Sequence, residues 1–258
     1  MSTNATYVYC LIESARPPSL SRAPRGLPAG TPPALLAIGP RLWAVVADVP
    51  LSEYGSGRLE DRLRDINWVA AIAVAHEAVV ERFASAKRAA VVPMKLFTMF
   101  STRDRAVSEL TARRSGIDAV LERIRGCREW GVRVTHAVPP RETGSRPAAP
   151  SSGTAFLIAK KRARDQARDR QQRAAEAAEQ TFDRLARLAR DAHRRAAPAD
   201  ATTPPLVDAA FLVSDGRQTQ FRAAVKRAAR MCRDADAALV LTGPWPAYNF
   251  VQSLPERA

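Results

Sequence analysis

No run of roughly 18 or more apolar residues occurs in this sequence, so a membrane-spanning helix has no support. The opening residues, Met1-Ser2-Thr3-Asn4, lack a basic region followed by an apolar core, and no secretion signal is read there. Cysteine is confined to Cys10, Cys127 and Cys232. Three widely separated cysteines fit neither a disulfide framework nor paired zinc ligands, and they predict reduced thiols in a cytoplasmic protein. A phosphate loop is missing too: Glu53-Tyr54-Gly55-Ser56-Gly57 has neither a third glycine nor a following Lys-Ser or Lys-Thr. Ser151-Ser152-Gly153 has no strand leading into it and makes no nucleophile elbow. His76-Glu77 begins like the zincin pattern, but Val80 stands where the second histidine belongs. His136 and His193 have nothing to pair them and read as surface or hydrogen-bonded side chains. No catalytic residue, cofactor-binding residue or metal ligand is therefore assigned, and an enzyme is not expected.

Acidic residues are also outnumbered, 26 against 40 Lys and Arg, which leaves a net charge of +14. A field of that sign attracts nucleic acid, anionic lipid or an acidic protein. The densest basic run, from Lys160 and Lys161 to Arg173, falls in a helix-favouring stretch. Its charges surround the helix instead of lining one stripe, Asp165 and Asp169 interrupt them, and no aromatic residue lies between Phe156 and Phe182. A nucleic-acid-binding module is thus the alternative reading and not the favoured one.

What is present is the patterning of an α+β protein made of two small α/β domains. Thr6 to Ile12 reads as a strand, and Ser14 to Pro33, rich in Pro, Ser, Arg and Gly, as a long surface loop open to a flexible or interacting excursion. Ala34 to Ile38 and Leu42 to Ala47 flank Gly39-Pro40-Arg41 as a hairpin. A helix follows from about Leu59 to Ala86, with Leu63, Ile66, Val69, Ala70, Ala73, Val74, Val80 and Phe83 predicted inward. Val91 to Phe100 is the next predicted strand, Ser101 the cap of a helix that stops at Gly126, and Glu129 to Val138 another strand. That order predicts a ferredoxin-like N-terminal domain over residues 1–138. A Pro-rich linker is read at 139–153, and a C-terminal domain at 154–258.

The second domain opens with a helix predicted from about Thr154 to Ala197, with no Gly or Pro inside it. Ala167, Gln171, Ala174, Ala178, Thr181, Leu185, Leu188 and Ala192 form its narrow inward seam. Val207 to Ser214 and Ala237 to Thr242 are predicted strands on either side of an amphipathic helix, Gln220 to Arg233, with Phe221, Val225 and Ala229 inward. The last strand runs into Gly243-Pro244-Trp245-Pro246-Ala247-Tyr248-Asn249-Phe250-Val251. Gly243 and Pro244 are expected to end the ladder and to fix a stiff turn, with Trp245 as a buried anchor.

These words resemble a known family. Gly243 to Val251 is similar to the C-terminal signature of the gas vesicle protein F/L family (GvpF/GvpL). Tyr7-Val8-Tyr9 resembles the family's first strand, Leu42 to Tyr54 its hairpin strand and turn, and His76 to Val80 its histidine-glutamate helix. Val92 to Lys95 with Thr98 to Phe100 resembles the next strand, Glu129 to Val132 the one after, and Ala155 to Leu157 with Lys160-Lys161 the start of the long helix. The resemblance implies a cytoplasmic, gas-vesicle-associated accessory protein that binds the shell protein and other accessory proteins during vesicle formation. It carries no catalysis, no cofactor and no membrane partner, and it leaves the oligomeric state open. A homologue serving another system is a further alternative. Gly243, Pro244, Trp245, Pro246, Tyr248, Asn249 and Phe250 are assigned as the family signature and structural anchor, and Lys95, Phe97, Lys160 and Lys161 as candidate partner contacts.

Overall fold

Strand β1, Asn4–Glu13, sits inside the first of two sheets, and its Tyr7, Val8, Tyr9, Cys10 and Leu11 are fully buried. A strand covered on both faces needs a near-continuous apolar run, which is what Thr6 to Ile12 supplies. The structure, a computed structural model, describes residues 3–85, 90–137, 153–196 and 203–251. After β1 come the hairpin strands β2 (Ala34–Gly39) and β3 (Leu42–Pro50), then α1 (Leu51–Tyr54), α2 (Ser56–Arg62) and α3 (Ile66–Ala84). Next are β4 (Ala90–Pro93), β5 (Met99–Phe100), α4 (Arg103–Ala112) and α5 (Arg114–Ile124). The second sheet is built from β6 (Cys127–His136), β7 (Asp191–Arg194), β8 (Val207–Ser214) and β9 (Ala237–Trp245), together with α6 (Gly153–Ala186) and α7 (Gln218–Asp234).

The first sheet has the order β2-β3-β1-β4, with β5 also pairing with β1, and its described ladders are antiparallel. This is compatible with a ferredoxin-like plan, although residues 14–33 form a loop where that plan places its first helix. The loop is not a free excursion. Leu27 is buried, its N–H donates to Tyr9 Oη at 3.0 Å, and Tyr54 Oη donates to the Pro28 carbonyl at 2.8 Å. Gly26 has φ +83°, and a Cβ there would stand 2.5 Å from Tyr9 Oη, so both backbone angle and space demand glycine.

Helix α3 starts at Asp65, whose carboxylate accepts from the Asn67 and Trp68 N–H groups. Its buried face is Ile72, His76, Val79, Val80 and Phe83, while Ile66 and Val74 are 74% and 70% exposed. The inward face predicted from apolar residues alone was therefore rotated, because the true i, i+4, i+7, i+11 series includes a histidine. The predicted strand Val91 to Phe100 is split into β4 and β5 by a turn in which Phe97 has φ +64°. Thr102, not Ser101, caps α4 by accepting from Arg105 N–H, and Gly126 at φ +62° follows the end of α5.

The second sheet has the order β7-β8-β6-β9. Its chain order, β6-α6-β7-β8-α7-β9, is the β-α-β-β-α-β sequence of the split plan. Trp130, Val132, Val134, Phe211, Phe221 and Leu185 meet in its core, where Phe182 lies 5.7 Å and Phe221 5.6 Å from Phe211 between ring centroids. Buried Asp208 is held between Arg133, at 2.7 Å, and Arg195.

The long helix ends at Ala186, short of the predicted Ala197. Leu188 and Ala189 N–H groups close onto the Leu185 carbonyl, and Arg190 N–H donates to Leu212 O, so residues 191–194 join the sheet as β7. Helix propensity has no term for a waiting sheet edge. Of the predicted seam, Ala174, Ala178, Thr181 and Leu185 are buried, Ala167 and Gln171 are exposed, and Ala192 lies in β7.

By contacts the chain divides into Met1–Glu129 with Trp245–Ala258, and Trp130–Pro244. This differs from the predicted limits 1–138 and 154–258. Most of β6 pairs in the second sheet, and the tail after Pro244 belongs with the first unit. The linker predicted at 139–153 lies, apart from Gly153, outside the described residues.

Candidate functional site

Strand β9 does not stop before Gly243. It runs from Ala237 through Trp245 and includes a cis Gly243–Pro244 peptide. Pro244 is tolerated because β9 is the last strand of its sheet, where a missing N–H leaves no ladder bond unmade on the outer side. The two outer strands of this sheet differ. Strand β7 has 4 residues and carries Asp191, His193 and Arg194. Strand β9 has 9 residues, none of them charged, and Val240 on it is 55% exposed. Charge and shortness are the usual protection of a sheet edge against further pairing, and β9 has neither.

The aromatic tail divides its labour in an unexpected way. Trp245, predicted as the buried anchor, is 44% exposed, whereas Phe250 is 0% exposed. Asn249 donates from its backbone N–H to the buried Glu129 carboxylate at 2.8 Å, and its side-chain amide donates to the other carboxylate oxygen. The Phe250 carbonyl accepts from the Arg123 guanidinium. Pro246 and Ala247 are buried, and Tyr248 packs against the core of the first unit. Sequence reasoning favoured Trp245 because a tryptophan between prolines is conspicuous. Nothing local to the motif shows that the Glu129 carboxylate receives the tail.

Tyr248 completes a buried polar cluster. Tyr7 Oη donates to His76 Nδ1 at 2.7 Å, and the His76 ring lies 5.7 Å from both Tyr7 and Tyr9 and 6.4 Å from Tyr248. Burial lowers the His76 pKa to about 4, against a smaller opposing effect of the Met94 carbonyl, so the imidazole is neutral at pH 7. The Tyr248 hydroxyl stands beside the Glu77 carboxyl without a hydrogen bond of normal geometry. Burial raises the Glu77 carboxyl, an effect that Tyr248 opposes and Glu81 reinforces. Burial likewise raises Tyr7, Tyr9 and Tyr248. The cluster holds one hydrogen-bonded neutral histidine. Among the described residues no three His, Cys, Asp or Glu converge as a metal site, and no helix is long and apolar enough to cross a membrane.

The candidate contact residues fall in two places. Phe97 is half-buried and stacks on Trp68 with centroids 5.8 Å apart and planes at 9°, so its ring is engaged within the first unit. Lys95 beside it is exposed in the turn, where its carbonyl accepts from the Thr98 hydroxyl at 2.8 Å. Lys160 and Lys161 lie in the first half of α6, which is exposed wherever its side chains are described, from Thr154 to Arg173. Only the later residues, Ala174 onward, dock on β8 and α7.

Comparison with known proteins agrees over nearly the whole length. The family model for gas vesicle synthesis protein GvpL/GvpF matches residues 5–252. Gas vesicle protein L of Streptomyces sp. (strain CB03234) is 31% identical over 233 residues, covering 86% of this chain and 84% of that protein. The crystal structure of GvpF from Anabaena sp. PCC7120 matches with a TM-score of 0.67 at 15% identity, covering 99% of both chains. That of GvpF from Microcystis aeruginosa matches with a TM-score of 0.62 at 14% identity, covering 96% of this chain and 99% of that one. The two crystal structures share the fold, and the sequence matches carry the kinship: the chain belongs to the GvpL/GvpF family of gas vesicle synthesis proteins and has a gas-vesicle-related role.

Proposed function

We propose that this chain is an assembly factor that holds gas vesicle shell protein before it polymerises, by pairing a strand of that client with the outer edge of β9. Other accessory proteins are further partners in the same assembly. The observation that carries the reading is the uncharged, 9-residue outer strand β9 with Val240 at 55% exposure. A sheet edge of this kind gives main-chain hydrogen bonds to an extended partner and takes its specificity from alternate side chains. Holding the client by its own pairing edge would also keep client molecules from pairing with one another too early.

Val240→Lys tests this directly. A lysine on an exposed edge position changes stability by no more than about 0.5 kcal/mol, but it discourages strand addition. Co-expressed shell protein is expected to co-purify with the wild-type chain and to be lost from the variant, with an unchanged melting temperature. Equal capture by the two chains would overturn the docking site.

A further inference from the structure

We infer that the free first half of α6 is a docking arm for an acidic helical segment of another protein, a second surface that does not depend on the client at β9. Helix α6 has 34 residues, yet its inward seam begins only at Ala174. Before that point Phe156, Leu157 and Ile158 are 51%, 65% and 48% exposed, and seven basic residues stand against two acidic ones between Lys160 and Arg173. Among the described residues Lys160, Lys161, Arg164 and Arg168 make no ion pair. A helix gains most of its stability from a packed apolar face, so a long exposed section with three large apolar residues in its first turn and a half reads as a surface awaiting a partner.

The geometry selects the partner's chemistry. Although the seven cations surround α6, at 100° per residue three of them, Lys161, Arg164 and Arg168, share one side with Leu157, an apolar residue followed by cations spaced i+4, i+7 and i+11. A helix with a leucine-like residue at one end and carboxylates at matching turns satisfies both parts. This chain cannot supply it: its net charge of +14 opposes self-association through the arm, and residues 138–152, which join the start of α6, carry Arg141 and Arg146 against Glu142 alone. Nucleic acid fits less well, since the arm offers no aromatic platform after Phe156 and places Asp165 and Asp169 among its cations. A membrane surface fits less well too, because its large apolar residues are three consecutive positions that point in different directions instead of forming a face.

Three fluorescently monitored titrations of the full chain decide it. The probes are a helical peptide of Glu, Ala and Leu with its leucines spaced i, i+4, i+7 and i+11 on one face and glutamates beside them, a DNA duplex, and phosphatidylglycerol vesicles, all at physiological salt. The peptide is expected to bind at micromolar concentration and more tightly than either other probe. Its affinity falls at least tenfold in the charge-reversed chain K160E/K161E/R164E/R168E, and severalfold in F156S/L157S, which keeps every charge. Both sets of changes lie on exposed positions, and the melting temperature serves as the folding control. Absence of peptide binding, tighter binding of DNA or vesicles, or peptide affinity unchanged in both variants would each overturn the inference.

Discussion

Phe250→Ala lowers the unfolding free energy of the chain by about 3–5 kcal/mol, the range for removing a fully buried phenylalanine. Phe250 is 0% exposed, and its neighbours fix the backbone on both sides: Asn249 on the Glu129 carboxylate, and the Phe250 carbonyl under the Arg123 guanidinium. Surrounding atoms held this firmly relax little into the space left behind, which places the loss toward the upper end. Trp245→Ala, at a residue 44% exposed, costs only about 1 kcal/mol. Denaturant unfolding of the two variants side by side reads the difference as a shift in midpoint at constant slope. Equal destabilisation by the two changes would contradict the assignment of the anchor to Phe250.

Acidification gives the second large effect. The native pKa of His76 is about 4 against 6.5 for the free side chain, so between those values the unfolded chain takes up a proton that the native chain refuses. Stability from this group is complete above pH 6.5 and declines as pH falls, by up to about 1.4 kcal/mol per unit and about 3 kcal/mol at pH 4. Glu77 acts in the opposite sense. Its raised native pKa means that its carboxyl is easier to protonate in the folded chain, which offsets part of the loss at the acid end. Tyr7, Tyr9 and Tyr248 are neutral throughout this range, as any tyrosine is, and burial raises all three further. Urea unfolding at stepped pH measures the slope. In His76→Gln, whose side-chain oxygen can still accept from Tyr7 Oη, the decline between pH 6.5 and 4 disappears. An unaltered slope in that variant would place the titration elsewhere.

These two groups also mark where sequence stops being legible. The elements whose signal is local were readable: β1 from Thr6 to Ile12, the hairpin around Gly39-Pro40-Arg41, the stop at Gly126, and α7 with Phe221 and Val225 inward. The family was readable too, because a Gly-Pro-Trp-Pro turn with an aromatic tail is a conspicuous word. Features set by distant partners were not. β7 lies inside an unbroken helix-favouring stretch and exists because Leu212, Phe211 and Ala210 offer it an edge. His76 reads in the sequence only as the start of an incomplete zincin pattern, although it occupies the inner face of α3 and is hydrogen-bonded to Tyr7, 69 positions away. Exposure of Trp245 and Val240 depends on which strand ends the sheet, and strand order is a property of the whole unit.

The proposed capture of shell protein by the edge of β9 is tested most directly by amide hydrogen exchange on the wild-type chain with and without that client. Strand pairing would protect backbone N–H groups between Ala238 and Gly243 while leaving β7 unchanged. Binding that protects other segments and leaves the β9 amides exchanging as in the free chain would contradict it.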